Sequence, residues 1–147
     1  MPASVSLVRW LLIGFCLSVG LWYAGQGTYI YLKAELAQWL IKDAWQQSRQ
    51  DLQPHRPWSW ADTWPVAKMS VAEQELYVLQ GASMRNLAFG PGHLNQSAAP
   101  GEPGISVILG HRDTHFALLE DLQLGDNIKL ESMTNRLTFE VTRIEIR

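Results

Sequence analysis

Cysteine is nearly absent from this chain: Cys16 stands alone among 147 residues. No intrachain disulfide can form, and no paired-cysteine metal motif is available. Blocks of lysine and arginine are missing too, and the formal net charge is -2. Nucleic acid therefore finds no electrostatic footprint, and that class of function is set aside. Charge of either sign is absent between Trp10 and Leu32. Beyond residue 54 no long amphipathic pattern of helical period appears, which argues against an α-helical bundle.

What is present begins with that uncharged run, WLLIGFCLSVGLWYAGQGTYIYL. As a helix it would be roughly 35 Å long, enough to cross a bilayer core of about 30 Å. Trp10 sits at one end and Trp22, Tyr23, Tyr29 and Tyr31 gather towards the other. Aromatic rings at both ends suit the two membrane interfaces. Gln26 needs a partner if buried, which would place the end of the apolar core nearer Ala24. A cleaved signal peptide and a buried helix of a soluble domain are the competing readings. The apolar run continues well past any small-residue cleavage site near Ser18 and Gly20. Phe15 before Cys16 does not suit lipid modification, so Cys16 reads as an apolar thiol packed in the membrane. Arg9 and the free amine precede the span, while Lys33 and Glu35 follow it. That bias puts residues 1–9 in the cytoplasm, a single-pass anchor at 10–32, and the remainder outside.

From 33 to 53 a helical period continues, with Ala37, Leu40, Ile41, Ala44, Trp45, Ser48 and Leu52 on one side. The pattern predicts a separate amphipathic juxtamembrane helix ended by Pro54. A Trp/Pro-rich linker follows at 54–65. At Val66 the period shortens. VAKMSV, ELYVLQ, MRNLAFG, ISVILG, a strand after Gly125-Asp126, and RLTFEVTRIEIR read as short strands, with a bulge at the phase slip near Thr142-Arg143. ISVILG is apolar throughout, as a central strand would be. GPGHLNQSAAPGEPG must be loop. The fold class is mainly β, a curled sheet or barrel, and 66–147 ends inside a strand that expects a neighbour.

Chemistry-bearing residues concentrate in GHRDTHF, 110–116, where the apolar strand meets a loop. His111 can serve as acid or base near neutral pH, or pair as imidazolium with a thiolate. Its other reading is a strand cap held by a backbone hydrogen bond. Asp113 either accepts backbone N–H groups in a local turn, or orients His111 or touches substrate. His115, with Asp113 and His93, raises a zinc reading. The zincin pattern needs glutamate after its first histidine, and Arg112 occupies that place, so no metal is assigned. The ordinary role of His93 is to hold the long loop by hydrogen bonds.

The stretch 89–130, FGPGHLNQSAAPGEPGISVILGHRDTHFALLEDLQLGDNIKL, resembles the sortases, in particular the class found in Gram-negative bacteria. A glycine-rich loop, a strand carrying G-H-R-D-T, and an F-x-x-L-x-x-L-x-x-G-D segment follow in that order. Phe116, Leu119, Leu122 and Gly125-Asp126 match the last. Ile105 departs from a frequent Asn. The resemblance implies a sortase-like closed β-barrel behind an N-terminal membrane anchor, present only in its N-terminal part. It implies a cysteine transpeptidase that cuts a C-terminal sorting signal of a secreted protein and transfers the acyl group to an amine, with no cofactor. The expected setting is the inner (cytoplasmic) membrane, with the domain facing the periplasm or outside.

By that resemblance His111 is the family histidine. The catalytic cysteine and arginine fall beyond Arg147, so neither is present, and Cys16, Arg112, Arg136, Arg143 and Arg147 do not take those roles. The parent protein is then an enzyme and the 147 residues alone are inactive. The alternative is a non-catalytic, membrane-anchored β-domain that binds a peptide or a partner chain.

Overall fold

The computed structural model describes residues 3–145, so Ile146, assigned above to the final strand, and Arg147 lie outside the described residues. Two compact units divide the chain, Met1–Leu36 and Ala37–Arg147.

The first unit is helical. Helix α1 runs Ala3–Asp51 without a break. The separate juxtamembrane helix expected at 33–53 is therefore not found as a distinct element. The reason is local: neither glycine nor proline occurs between Tyr29 and Gln53, so nothing terminates the helix before Pro54. Leu52 then turns into the left-handed region at φ 59°. From Trp10 to Leu36 the large apolar side chains point outward, Phe15 at 68% and Leu21 at 74% exposure. A helix of this length and apolarity, exposed over its whole apolar window, is long enough to cross a membrane.

The last turns of α1 belong to the second unit, where Ala37, Ile41, Ala44, Trp45 and Ser48 are buried at helical spacing. Leu40 is only half-buried, and Leu52, placed on the same side by its spacing, is exposed because the helix has ended. Gln38 Nε2 donates to the carbonyl of Phe89 at 2.7 Å. Ser48 Oγ accepts from the His55 N–H at 3.0 Å and so fixes the exit from the helix.

Six strands form one sheet: β1 (Pro65–Val71), β2 (Gln74–Gln80), β3 (Gly92–His93), β4 (Ile108–Leu109), β5 (Asn127–Ser132) and β6 (Arg136–Glu140). Their spatial order is β4-β3-β2-β1-β5-β6. All neighbours are antiparallel except β2 and β3. The sheet is open and curled, a half-barrel, with β4 and β6 at its two ends. β1 shows the strict alternation of a strand with one buried face. Ala67, Met69, Val71, Val78 and Leu130 make the core, and Ile108, Phe116, Leu118, Leu122 and Ile128 pack against it.

Three sequence expectations differ. The segment 84–87 is a short helix, α2 (Met84–Leu87), because Ser83 Oγ accepts the N–H of Asn86 and caps its first turn. ISVILG contributes only Ile108–Leu109 to the ladder, as an end strand and not a central one, and Ile105 is 83% exposed. β6 stops at Glu140, ahead of the proposed bulge, and the irregularity in register lies instead between Pro65 and Ala67.

On the outer face of the sheet, charges cluster around Glu131. Arg136 reaches it through Nε at 3.1 Å and Nη2 at 3.0 Å, Lys68 Nζ lies 3.5 Å away, and Arg49 of α1 also pairs with it. Burial alone would raise the Glu131 carboxyl, but the Arg136 hydrogen bond and the charges of Arg49 and Lys68 outweigh it and hold it below the ordinary range. A depressed carboxylate contributes stability that is present above its unfolded value and lost as pH falls through its folded one. Melting the wild type and Glu131→Gln from about pH 5 down to about pH 3 should therefore give a steeper fall for the wild type.

Candidate active site at the end of β4

The apolar pair Ile108–Leu109 carries the chain to Gly110, where the next residue must turn. A Cβ on Gly110 would lie 2.7 Å from Cδ2 of Phe116, so the ring of Phe116 sits directly over this backbone. Only glycine admits that approach. His111 closes the turn: its carbonyl accepts from Thr114 N at 3.3 Å and Phe116 N at 3.0 Å. Phe116 is anchored in the core cluster, so the backbone of His111 is tied to the sheet through a single aromatic ring. The 3₁₀ turn Ala117–Asp121 continues the chain.

The His111 side chain is exposed at this rim. Arg112 and Asp113 stand out further, 92% and 94% exposed, with Nε and Oδ1 3.9 Å apart. An ion pair so exposed contributes little. His115 is half-buried. Burial holds its imidazole below the usual histidine range, opposed by a backbone hydrogen bond at Ala88 and reinforced by the nearby His111. The proximity of two imidazoles, one exposed and one half-buried, was not legible as a pair in the motif. Its only signal was the four-residue spacing.

His93 sits apart from this rim in purpose. It is 4% exposed, and its Nε2–H points to the carbonyl of Ala98 at 2.9 Å with Ser97 Oγ at 3.0 Å. Ser97 in turn donates to the Leu94 carbonyl and accepts from Val107 N. These bonds fold the glycine-rich loop back on itself, the role its position suggested. Among the described residues no three His, Cys, Asp or Glu side chains converge on a point where a metal could bind.

The sequence model described as "Sortase domain" matches residues 68–147. The chain belongs to the sortase family. Sortase D of Bacillus subtilis is 35% identical over 72 residues, which cover 49% of this chain and 36% of that relative. Among solved structures, the Clostridium perfringens Sortase D5 transpeptidase superposes with a TM-score of 0.52 at 22% identity, covering 67% of this chain and 62% of that one. A lid mutant of Corynebacterium diphtheriae Sortase A gives 0.50 at 24%, covering 73% and 66%. At these identities the two structures speak for the sortase fold alone. The 147 residues match little more than a third of the curated relative's length.

The named sortases come from Gram-positive bacteria, including Bacillus subtilis and Streptococcus agalactiae. The Gram-negative attribution drawn from the G-H-R-D-T stretch is therefore corrected. A short strand-to-turn motif reports how a histidine is held at a barrel rim, and that geometry is independent of the envelope in which the protein works. Within residues 68–147 there is no cysteine. The one thiol of the chain, Cys16, is exposed on the apolar helix α1. The domain as it stands has the sortase fold without a clustered cysteine, histidine and arginine.

Proposed function

We propose that these residues belong to a membrane-anchored sortase in which His111 is the acid–base group and the nucleophilic cysteine comes from outside the 147 residues. The observation that carries this reading is the placement of His111: exposed at the end of β4, on a turn locked by Phe116, within the region that matches the family. The thiolate sulfur would attack the scissile carbonyl of a C-terminal sorting signal on a secreted protein. The leaving amine would take its proton from the His111 imidazolium, giving a thioester. An acceptor amine would attack that thioester, hand its proton back to His111, and release the thiolate. Asp113 is placed beside His111 in sequence and suits a role in orienting it or in meeting the substrate.

A separate cation would stabilise the oxyanion. The arginines on hand suit other tasks: Arg136 is bound to Glu131, Arg143 pairs with Glu145, and Arg112 stands beside Asp113. We place α1 in the cytoplasmic membrane as a single-pass anchor, with the sortase domain on the outer side. The alternative, a non-catalytic anchored domain that binds peptide, draws support from the thiol-free sortase region and from the exposed inner-face residues Leu137 and Phe139.

The purified 147-residue chain in detergent, given a sorting-signal peptide and an amine acceptor, should form neither transfer product nor thioester adduct. Turnover at an ordinary sortase rate by this chain alone would overturn the reading.

A further inference from the structure

Away from the His111 rim, three large apolar side chains stand in solvent at one end of the second unit: Trp39 is 61% exposed, Trp60 74% and Met84 73%. A short series of contacts brings them to that end. Gln38, beside Trp39, donates to the Phe89 carbonyl at 2.7 Å, and the Phe89 ring meets Trp58 edge-on with centroids 5.2 Å apart. Trp60 lies in the turn closed by Ala61 N and the Trp58 carbonyl at 3.0 Å. Arg85, next to Met84, pairs with Asp62 at 3.5 Å. The turn itself is firmly held. Ala61 and Thr63 are buried, Thr63 Oγ1 donates to the Gln80 carbonyl at 2.7 Å, and Gln80 N donates to the Trp64 carbonyl at 2.8 Å. Its backbone is sewn to the end of β2, and the Trp60 indole is held out. A single exposed apolar residue needs no explanation, whereas two indoles and a thioether sharing one end of a domain mark a contact surface. Trp60 leads into β1 and Met84 follows β2, the two central strands, so strands added beside β4 or β6 pair elsewhere.

We infer that this surface rests on the bilayer that α1 enters, with Trp39, Trp60 and Met84 in its headgroup layer. The inference rests on the reading of α1 as a membrane anchor. The chain from Leu32 to Trp39 covers about 10 Å as helix and no more than about 25 Å in any conformation. This end of the domain is therefore kept close to the lipid. The chain leaving α1 then doubles back toward it. His55 N–H is bonded to Ser48 Oγ, yet Trp58, three residues later, meets the ring of Phe89, whose carbonyl Gln38 holds. The tryptophan-bearing turn is thus carried back along α1 from the level of Ser48 to that of Gln38. An indole suits the depth of the headgroups, since its ring is apolar and its N–H can meet phosphate or water. Arg56, exposed just before Trp58, brings a cation of the right sign for lipid phosphates. Held by helix and surface together, the domain keeps one fixed attitude to the membrane, where a helix alone would let it swing.

The test places nitroxide labels on the full chain in phosphatidylcholine vesicles and compares their collisions with oxygen, which concentrates in lipid, and with a nickel chelate, which stays in water. Three positions are read: Cys16 of the wild type, and Ser59→Cys and Glu73→Cys, each in a Cys16→Ala background. Ser59 is exposed beside Trp60, and Glu73 is exposed at the β1–β2 turn, the far end of that hairpin from Thr63 and Gln80. Labels at Cys16 and Ser59 are expected to favour oxygen, and the label at Glu73 the chelate. Trp60→Ala combined with Met84→Ala should bring the oxygen-to-chelate ratio at Ser59 down to that at Glu73. Both side chains are exposed, so circular dichroism and the Cys16 reading should stay unchanged. Oxygen at Cys16 with chelate at Ser59 overturns this inference and spares the anchor. Chelate at Cys16 overturns both. A Ser59 label shielded from both reagents, as beneath a protein partner, also overturns the inference, and so does a Ser59 ratio indifferent to the loss of Trp60 and Met84.

Discussion

In a form of this sortase that carries its nucleophilic cysteine, His111→Ala should lower turnover by about 10²–10⁴-fold or more, because a positioned proton donor contributes on that scale. The same substitution should leave the melting temperature nearly unchanged. His111 is exposed, and among the described residues its hydrogen bonds run through its carbonyl, which alanine keeps. Substrate binding should suffer less than turnover, since in the proposed step the imidazole acts when the leaving amine departs. His93→Ala is the control with opposite sign of evidence. His93 is buried and pins the loop 94–107, so its removal should lower the melting temperature first and reduce activity only as a consequence. Equal and total loss of turnover in both variants, with both stable, would mean that the roles of the two histidines are misassigned. The readouts are peptide turnover for kcat and KM together with thermal melts.

Gly92→Ala should be the most damaging single methyl in the sheet. A Cβ at that position would stand 2.6 Å from the carbonyl oxygen of Gly81 and 2.9 Å from the Cα of Ala82. Both are backbone atoms, and neither can rotate away. Gly92 pairs with Leu79 on one side and with Leu109 on the other, so moving it disturbs both β2–β3 and β3–β4. Overpacking of this kind costs about 1–3 kcal/mol where side chains can adjust and more where they cannot. A loss of at least about 3 kcal/mol, and of roughly 10 °C or more in melting temperature, is expected. Because β4 delivers His111 to the rim, the surviving folded fraction should also show a disturbed His111 environment by NMR. A melt within a degree of wild type would contradict the close packing described for β2 and β3.

How far the sequence carries can be argued from these elements. The alternation in VAKMSV reports directly on β1, since a half-buried strand has period two and its buried set is Ala67, Met69 and Val71. The uncharged run from Trp10 reads as a long apolar helix for an equally local reason. By contrast, the charged cluster at Glu131 joins Arg49 to a residue 82 positions away, and no window of sequence contains both. The same holds for the ring of Phe116 over Gly110: the motif G-H-R-D-T-H-F shows both residues, but only the turn brings them together. β4 reads as a central strand because it is apolar, and apolarity reports burial potential, not neighbours. It stands at the end of the half-barrel with Leu109 41% exposed. MRNLAFG reads as a strand because it is too short for its period to decide, and the Ser83 cap makes Met84–Leu87 helical instead. The placement of a histidine at a strand end was legible. A thiol to pair with it was not, because residues 68–147 contain no cysteine.

The most direct measurement is the intact mass of the membrane protein produced from its own genomic locus. The account expects a mass well above the 16.6 kDa of these residues, with a cysteine and an arginine in the added sequence and thioester formation on that cysteine. A mass equal to 16.6 kDa would contradict the catalytic reading and leave a binding domain whose open sheet is its working surface.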